Sequence, residues 1–260
     1  MRTWSCLRIK AATRHPLTAY PEESKLTKGK LFVVNLERCS RALQVRHQVN
    51  RMKLAVFGAT GITGGRVVSL ALARGHEVVA LCRDRAKLPL SHPGLTVLGG
   101  SPTSKADVDL CISGTDAVIH CLGIGGKGDG RSTTLVSDSV KVVLASMQTH
   151  SVPRIVCMSN VGAGGSGTWF ANRLVIPLFL RWLPPIIEDK DRMESALRAS
   201  PVEWVSVRLP NIVDGPEKPL RMSADGRGIG LSITASSAAS FLLARATGQD
   251  QLRTTPSISN

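Results

Sequence analysis

The fold of this chain is decided by the stretch Lys53-Leu-Ala-Val-Phe-Gly58-Ala-Thr-Gly61-Ile-Thr-Gly64-Gly-Arg-Val-Val-Ser-Leu-Ala-Leu-Ala-Arg74-Gly75-His-Glu-Val-Val-Ala-Leu-Cys82-Arg83-Asp84. A short apolar run ends in glycines, a helical pattern follows, and a second apolar run ends in Arg83. This order of strand, glycine-rich turn, helix and strand is typical of the opening of a dinucleotide-binding domain. Because all four parts are present, the stretch favours a nucleotide site over a plain strand–helix turn.

Each glycine of the turn has a physical role in such a site. Gly58 lets the chain turn sharply off the strand, and Gly61 lets backbone N–H groups approach a pyrophosphate. Gly64 lets the helix lie close to the sheet. The phosphates would then lie at the positive end of the helix dipole, among N–H groups that have no other partner.

The end of the second strand indicates which cofactor is bound. NAD-selective sites carry an acidic residue about 20 residues past the glycines, where it binds the ribose hydroxyls. At that distance this chain has Arg83, Arg85 and Lys87, with Asp84 between the cations. A guanidinium suits a 2′-phosphate, so the sequence predicts NADP(H). The alternative is that these cations form a solvated loop.

Length and composition fit a single α/β domain with a sizeable core, since the chain has 260 residues and 43% are hydrophobic. Residues 1–51 carry 11 Lys or Arg and 3 Glu, so most of the net charge of +14 is N-terminal. The charge therefore does not predict nucleic-acid binding by the domain. No apolar run of the sequence is long enough for a membrane span. The six cysteines lack metal-ligand spacing, so we expect no metal site. We also expect a reducing compartment in which these cysteines form no disulfides.

The first 51 residues have a different character from the remainder. They show little helical or strand periodicity, and the first 21 contain four basic residues and no acid. We interpret residues 1–51 as an unstructured extension or a misplaced start, with a transit peptide as the alternative. Residues 52–260 then form the NADP(H)-binding domain. The expected compartment is the cytoplasm, or the mitochondrion if residues 1–51 act as a transit peptide, and the expected state is a monomer or weak homodimer.

Strands and helices alternate along the remainder of the chain. Strands are predicted at Leu95–Gly99, Asp116–Gly123, Pro153–Met158 and Glu203–Arg208, and helices at Lys105–Ser113, Thr133–His150, Asp189–Ala199 and Thr234–Ala246. This alternation predicts a Rossmann-type, doubly wound parallel sheet in one domain, with an apolar insertion at Trp169–Pro185. Ligands of such sheets bind at the carboxyl ends of the strands. That edge would bring together Leu122, Gly123, Ser159 and Asn211.

From Met52 to the C-terminus the chain resembles the NAD(P)H-binding, NmrA-like atypical short-chain dehydrogenases, and among them the flavin reductase (biliverdin reductase B) type. The resemblance covers about four-fifths of the chain. The residues that carry it are Ala55–Gly64, Leu81–Pro89, Ala106–Asp109, Gly114–Val118, Cys157–Ser159 and Leu209–Asp214.

The resemblance implies roles for individual residues. The diphosphate would lie along the turn formed by Gly58, Thr60, Gly61, Ile62, Thr63 and Gly64. Arg83 and Lys87 would hold the 2′-phosphate, Leu122 and Gly123 would follow the ribose, and Ser159 would lie beside the nicotinamide. Two positions depart from the pattern. The acidic residue that reads adenine is replaced within Gly99-Gly100-Ser101, and the histidine of the flavin reductase type is Asn211.

The chemistry is constrained by a missing acid. Short-chain dehydrogenases of the Tyr/Lys type protonate a carbonyl with a tyrosine four residues before a lysine, but the single tyrosine, Tyr20, precedes the domain. His120 and Cys157 lie within strands and are interpreted as structural. Ser159 and Asn211 are the catalytic candidates, with the alternative that each only stabilises a turn.

Two functions therefore remain open at the level of the sequence. The first is an NADPH-dependent oxidoreductase that transfers hydride to a planar small-molecule acceptor, such as a flavin, a tetrapyrrole or a quinone, because these need no side-chain acid. The aromatic residues of the apolar insertion would cover that acceptor, unless they only pack in the core. The second is a non-catalytic NADP(H) sensor or assembly factor of the NmrA kind.

Overall fold

The chain divides into two units, of which the second runs from Gln48 to Asn260. This computed structural model describes residues 51–124, 130–165, 183–248 and 252–260 of that second unit. The strands are β1 Lys53–Phe57, β2 Glu77–Cys82, β3 Leu95–Gly99, β4 Ala117–His120, β5 Arg154–Asn160, β6 Glu203–Leu209, β7 Asn211–Val213, β8 Arg221–Ser223, β9 Ser232–Thr234 and β10 Ser257–Ser259. The helices are α1 Ile62–Ala73, α2 Lys105–Ile112, α3 Leu135–Thr149, α4 Pro184–Ala199 and α5 Ala235–Thr247.

Within the described residues, eight strands form one sheet in the order β3-β2-β1-β4-β5-β6-β10-β8. The first seven strands of this order are parallel, and β8 pairs antiparallel with β10. The order reverses between β1 and β4, so the loops after these two strands diverge and leave a crevice at the carboxyl edge. The Rossmann-type fold predicted from the sequence is confirmed, with a mixed rather than wholly parallel sheet.

The core lies on both faces of the sheet, because alternate residues of each strand point to opposite sides. In β1, Leu54 and Val56 belong to the cluster that contains residues of α1 and α5, whereas Ala55 and Phe57 belong to the cluster formed with α2, α3 and α4. Both faces are thus covered by helices, which explains why β1, β2 and β4 consist almost entirely of apolar residues. The sheet is doubly wound, as predicted.

Some element boundaries differ from those predicted. Helix α4 begins at Pro184 rather than Asp189, because a proline in the first helical turn loses no hydrogen bond and has a suitable φ. Strand β4 ends at His120 rather than Gly123. The strands β7 to β10 were not predicted at all, since each has only three residues and too little sequence for a period to show.

Two sequence predictions concern residues outside the described part. The N-terminal region falls there apart from Arg51, and so does the apolar insertion apart from residues 183–185. Among the described residues, no helix has the length and apolar character needed to cross a membrane.

Candidate functional site

The glycine-rich turn between β1 and α1 has the geometry of a cradle in which backbone replaces side chains. Gly58 has a φ of +80°, and a Cβ atom on it would lie 2.7 Å from the carbonyl oxygen of Cys121 at the end of β4. A Cβ atom on Gly64 would lie 2.1 Å from the carbonyl oxygen of Gly58. Only glycine fits at both positions, so the predicted tight turn and close helix–sheet approach are present.

The start of α1 is open to an anion. Gly61 is the N-cap residue, no side chain caps the helix, and its first turn contains no acidic residue. The Oγ1 atom of Thr63 is buried and has no hydrogen-bond partner in the described part of the chain. Thr60 and Ile62 are exposed beside it. Unpaired donors at a helix N-terminus are what a diphosphate requires, so these residues fit a dinucleotide.

The end of β2 presents exposed cations. Arg83 and Lys87 are both exposed, and neither has a salt bridge to a described residue. The intervening Asp84 does not neutralise them by contact, because its carboxylate accepts a hydrogen bond from the Ala86 N–H at 3.0 Å and caps the short 3₁₀ helix Arg85–Lys87. The cations are therefore free to bind a phosphate.

An acidic residue missed by the sequence analysis lies beside β3. The carboxylate of Asp107, from α2, accepts a hydrogen bond from the Ser101 N–H at 2.8 Å. A Cβ atom on Gly100 would lie 2.7 Å from Asp107 Cγ. Asp107 thus occupies the space left by the small residues that follow β3. Its position at the start of α2, three residues after the N-cap Ser104, made it resemble an ordinary helix-capping residue.

A second missed residue, Lys190, joins the carboxyl ends of β4 and β5. Its Nζ atom donates hydrogen bonds to the carbonyl oxygens of Leu122 at 3.0 Å and Met158 at 2.7 Å. Lys190 is 2% exposed, and burial lowers the pKa of its ammonium to about 8 against the opposing influence of Cys157 and other neighbours. Leu122 is half-buried and Gly123 is exposed, so the segment predicted to follow the ribose is held at the edge by this lysine.

Ser159 lies in a buried ionic network rather than at a turn. Its Oγ atom donates a hydrogen bond to Glu194 Oε1 at 3.0 Å, and both residues are almost fully buried. Arg208 of β6 donates from Nε to Oε1 at 3.0 Å and from Nη2 to Oε2 at 2.6 Å. Ser206 Oγ and Arg198 Nη2 also donate to this carboxylate, at 3.1 and 2.8 Å.

The network keeps Glu194 ionised. Burial alone would raise the pKa of Glu194, but the hydrogen bonds and charge of Arg208, with the two serine hydroxyls, outweigh it and hold the pKa below its ordinary value. This pairing could not be predicted from the sequence, because its partners come from α4 and β6 and share no local motif.

The other predicted candidates have separate positions. Asn211 is exposed and is the first residue of β7, with its N–H bonded to the Leu231 carbonyl at 3.2 Å, so it is a strand residue and not a turn residue. His120 is fully buried, its Nε2 lies 3.0 Å from Ser139 Oγ, and burial lowers its pKa to about 3. Cys157 is buried, and burial raises its thiol pKa. The structural interpretation of His120 and Cys157 agrees with these positions.

Comparison with known proteins identifies the family. The NAD(P)H-binding family matches residues 58–248, which include the glycine turn, Lys190 and Glu194. Among curated relatives, a 3-beta-hydroxysteroid dehydrogenase of Mycolicibacterium neoaurum is 36% identical over 72 residues, which are 28% of this chain and 19% of that protein. An uncharacterized protein of Mycobacterium tuberculosis H37Rv is 31% identical over 110 residues, 42% of this chain and 12% of that protein. The chain thus spans less than a fifth of these relatives' length.

Solved structures share the fold at low sequence identity. A Veillonella parvula short-chain dehydrogenase/reductase in complex with NADP has a TM-score of 0.68 at 13% identity, covering 80% of this chain and 94% of that one. A Bacillus halodurans protein described as an NAD-dependent epimerase/dehydratase has a TM-score of 0.67 at 19% identity, with the same coverage. The fold, the phosphate turn and the family match agree, and the chain belongs to the NAD(P)H-binding family.

Proposed function

We propose that the protein is an NADPH-dependent oxidoreductase that transfers hydride to a planar acceptor, such as a flavin, a tetrapyrrole or a quinone, without a Tyr/Lys acid pair. One observation carries this proposal. Lys190 is a buried lysine on α4, and the residue four positions earlier, the spacing at which the Tyr/Lys type has its tyrosine, is Ile186. An isoleucine side chain has no proton to give, so a carbonyl oxygen would find no acid there.

The preference for NADPH follows from the cations after β2. Arg83 and Lys87 are exposed at the carboxyl end of the strand next to β1, and Asp84 caps a 3₁₀ helix. A guanidinium and an ammonium bind a 2′-phosphate through charge-assisted hydrogen bonds, and the ribose hydroxyls of NADH would gain little from them. Asp107, beside Gly100, lies on the same side of the site, where an acid would accept from the adenine amino group.

The residues near the nicotinamide end would bind and orient, and would exclude water. When bound, the reduced cofactor supplies the hydride. Ser159 and Lys190 already have internal hydrogen-bond partners, and His120 is neutral and buried. Acceptors that take their proton from water suit such an arrangement. Asn211, exposed at the same edge, would hold a carbonyl or imide group of the acceptor through its side-chain amide.

The test is NADPH oxidation with added flavin, quinone or biliverdin, followed together with reduction of the acceptor. With at least one acceptor class, we expect NADPH oxidation and acceptor reduction to proceed in equal amounts. We expect oxidation of NADH to be slower. Ser159→Ala should retain turnover at roughly 10- to 100-fold below wild type, the loss expected for an orienting contact rather than an acid. Asn211→Ala should raise KM more than it lowers kcat. NADPH binding without hydride transfer to any of these acceptors would refute the enzymatic proposal.

A second candidate is a non-catalytic NADP(H) sensor or assembly factor. The observation that favours it is the internal use of Ser159 and Lys190, whose polar groups bond to Glu194 and to the carbonyl oxygens of Leu122 and Met158. In that case cofactor binding would be tight, while all the acceptors above would stay oxidised.

A further inference from the structure

The direction of one hydrogen bond limits what Ser159 is able to bind. The carboxylate of Glu194 pairs with Arg208 and Arg198, and an ionised carboxylate only accepts hydrogen bonds. The hydroxyl of Ser159 therefore donates its single proton to Glu194 Oε1, 3.0 Å away. Two lone pairs of Ser159 Oγ remain, so a ligand group that meets this oxygen must be a hydrogen-bond donor.

Lys190, in contrast, has a hydrogen-bond donor left for a ligand and no acceptor. An ammonium has three N–H groups, and two of them are used on the carbonyl oxygens of Leu122 and Met158. One donor remains. Met158, which accepts from Lys190, immediately precedes Ser159. Glu194, which accepts from Ser159, follows Lys190 by one turn of α4 and is close enough for its charge to act on the ammonium, so the two side chains lie near the same carboxylate.

We propose that Lys190 and Ser159 together hold the carboxamide of the nicotinamide ring, with Lys190 donating to the amide oxygen and Ser159 accepting from the amide NH₂. A primary carboxamide presents an acceptor and a donor on adjacent atoms, which matches this pair. The inference rests on the proposed function only in requiring a pyridine nucleotide at this edge. Glu194 and Arg208 are then positioning residues, since they act on the cofactor only through Ser159.

The surroundings of Arg208 hold this arrangement in place. The loop after β5 contains Gly164, which has a φ of +59°, and a Cβ atom there would lie 2.2 Å from Arg208 Nη2. The Gly164 N–H also donates to Asp191 Oδ1 of α4 at 2.5 Å. A side chain at residue 164 would therefore displace this guanidinium. Because Arg208 is buried and pairs with Glu194, Glu194 cannot turn away from Ser159 without leaving Arg208 unpaired in the interior. Such preorganisation makes the polarity of Ser159 a fixed property of the site.

The experiment compares NADP with its 3-acetylpyridine analogue, in which a methyl ketone replaces the carboxamide, by titration calorimetry. The analogue keeps the oxygen for Lys190 and lacks the NH₂ that Ser159 would accept from. We expect wild type to bind the analogue roughly 10-fold more weakly than NADP, the effect of one hydrogen bond. In Ser159→Ala this discrimination should fall below about twofold, and Ser159→Thr, which keeps a hydroxyl, should restore part of it.

Two further variants separate this role from a structural one. Ser206→Ala removes a donor to the same Glu194 oxygen from the neighbouring strand, and it should keep the full discrimination. Lys190→Met should weaken binding of NADP and the analogue equally, because both ligands carry the oxygen. Equal binding of the two ligands by wild type, or unchanged discrimination in folded Ser159→Ala, would overturn the proposal. Discrimination by a wild type that reduces no acceptor would support it and count only against the oxidoreductase function.

Discussion

Replacing Glu194 with alanine should remove about 3–5 kcal/mol from the free energy of unfolding, because the guanidinium of Arg208 would be left buried without a counter-charge. Domains of this size are stable by only about 5–15 kcal/mol, so the loss would be a large share of the total. Urea unfolding at neutral pH, followed by circular dichroism, measures it.

Two matched variants test whether the unpaired charge of Arg208 causes this loss of stability. Glu188→Ala, at an exposed position on the same helix, should cost less than about 1 kcal/mol. The double variant Glu194→Leu/Arg208→Leu should be less destabilised than Glu194→Ala, since removing both charges leaves neither of them unpaired. A loss for Glu194→Ala no larger than that of Glu188→Ala would contradict the buried network, and with it the assigned polarity of Ser159.

Gly64→Ala should weaken NADPH binding by on the order of 100-fold, because the added methyl group cannot be accommodated without opening the phosphate turn. The new Cβ atom would lie 2.1 Å from the carbonyl oxygen and 2.8 Å from the carbonyl carbon of Gly58, both of which are backbone atoms. The neighbouring residue provides the control. At Gly65 a Cβ atom would lie 3.3 Å from the Ala59 carbonyl oxygen, a distance that a small shift relieves.

Equilibrium titration of NADPH quenching of protein fluorescence measures both variants. We expect Gly65→Ala to bind within a few-fold of wild type, because alanine also favours the helix at that position. Tight NADPH binding by folded Gly64→Ala would mean that the phosphates do not lie along this turn.

The parts of the fold that were predictable are those with local signals. The first strand, the glycine turn and the second strand follow one another within Lys53–Cys82, and each has enough residues to show its period. Strand β10 is different, because its three residues are strand only by pairing with Arg208 in β6 and with β8. Such long-range pairing leaves no periodic pattern in the sequence.

The candidate site likewise contains residues with a local signal in the sequence and residues without one. The residues of the phosphate turn and Arg83 could be predicted, since their chemistry is tied to their position after a strand. Lys190 could not, because it lies within Glu188-Asp-Lys-Asp-Arg192, a charged run that ordinarily indicates a solvated helix face. Only the folded arrangement, in which this part of α4 meets the ends of β4 and β5, makes that lysine a buried donor.

Titration of Arg83→Glu with NADPH and NADH tests whether NADPH binds at this edge with its 2′-phosphate on Arg83. Wild type should prefer NADPH, and the variant should bind NADPH roughly 10- to 100-fold more weakly with NADH nearly unchanged, because an ion pair becomes a repulsion. Arg74→Glu, the same charge change at the exposed far end of α1, should leave both affinities unaltered. Equal losses for the two cofactors in Arg83→Glu, or a wild type that prefers NADH, would show that Arg83 does not bind the 2′-phosphate.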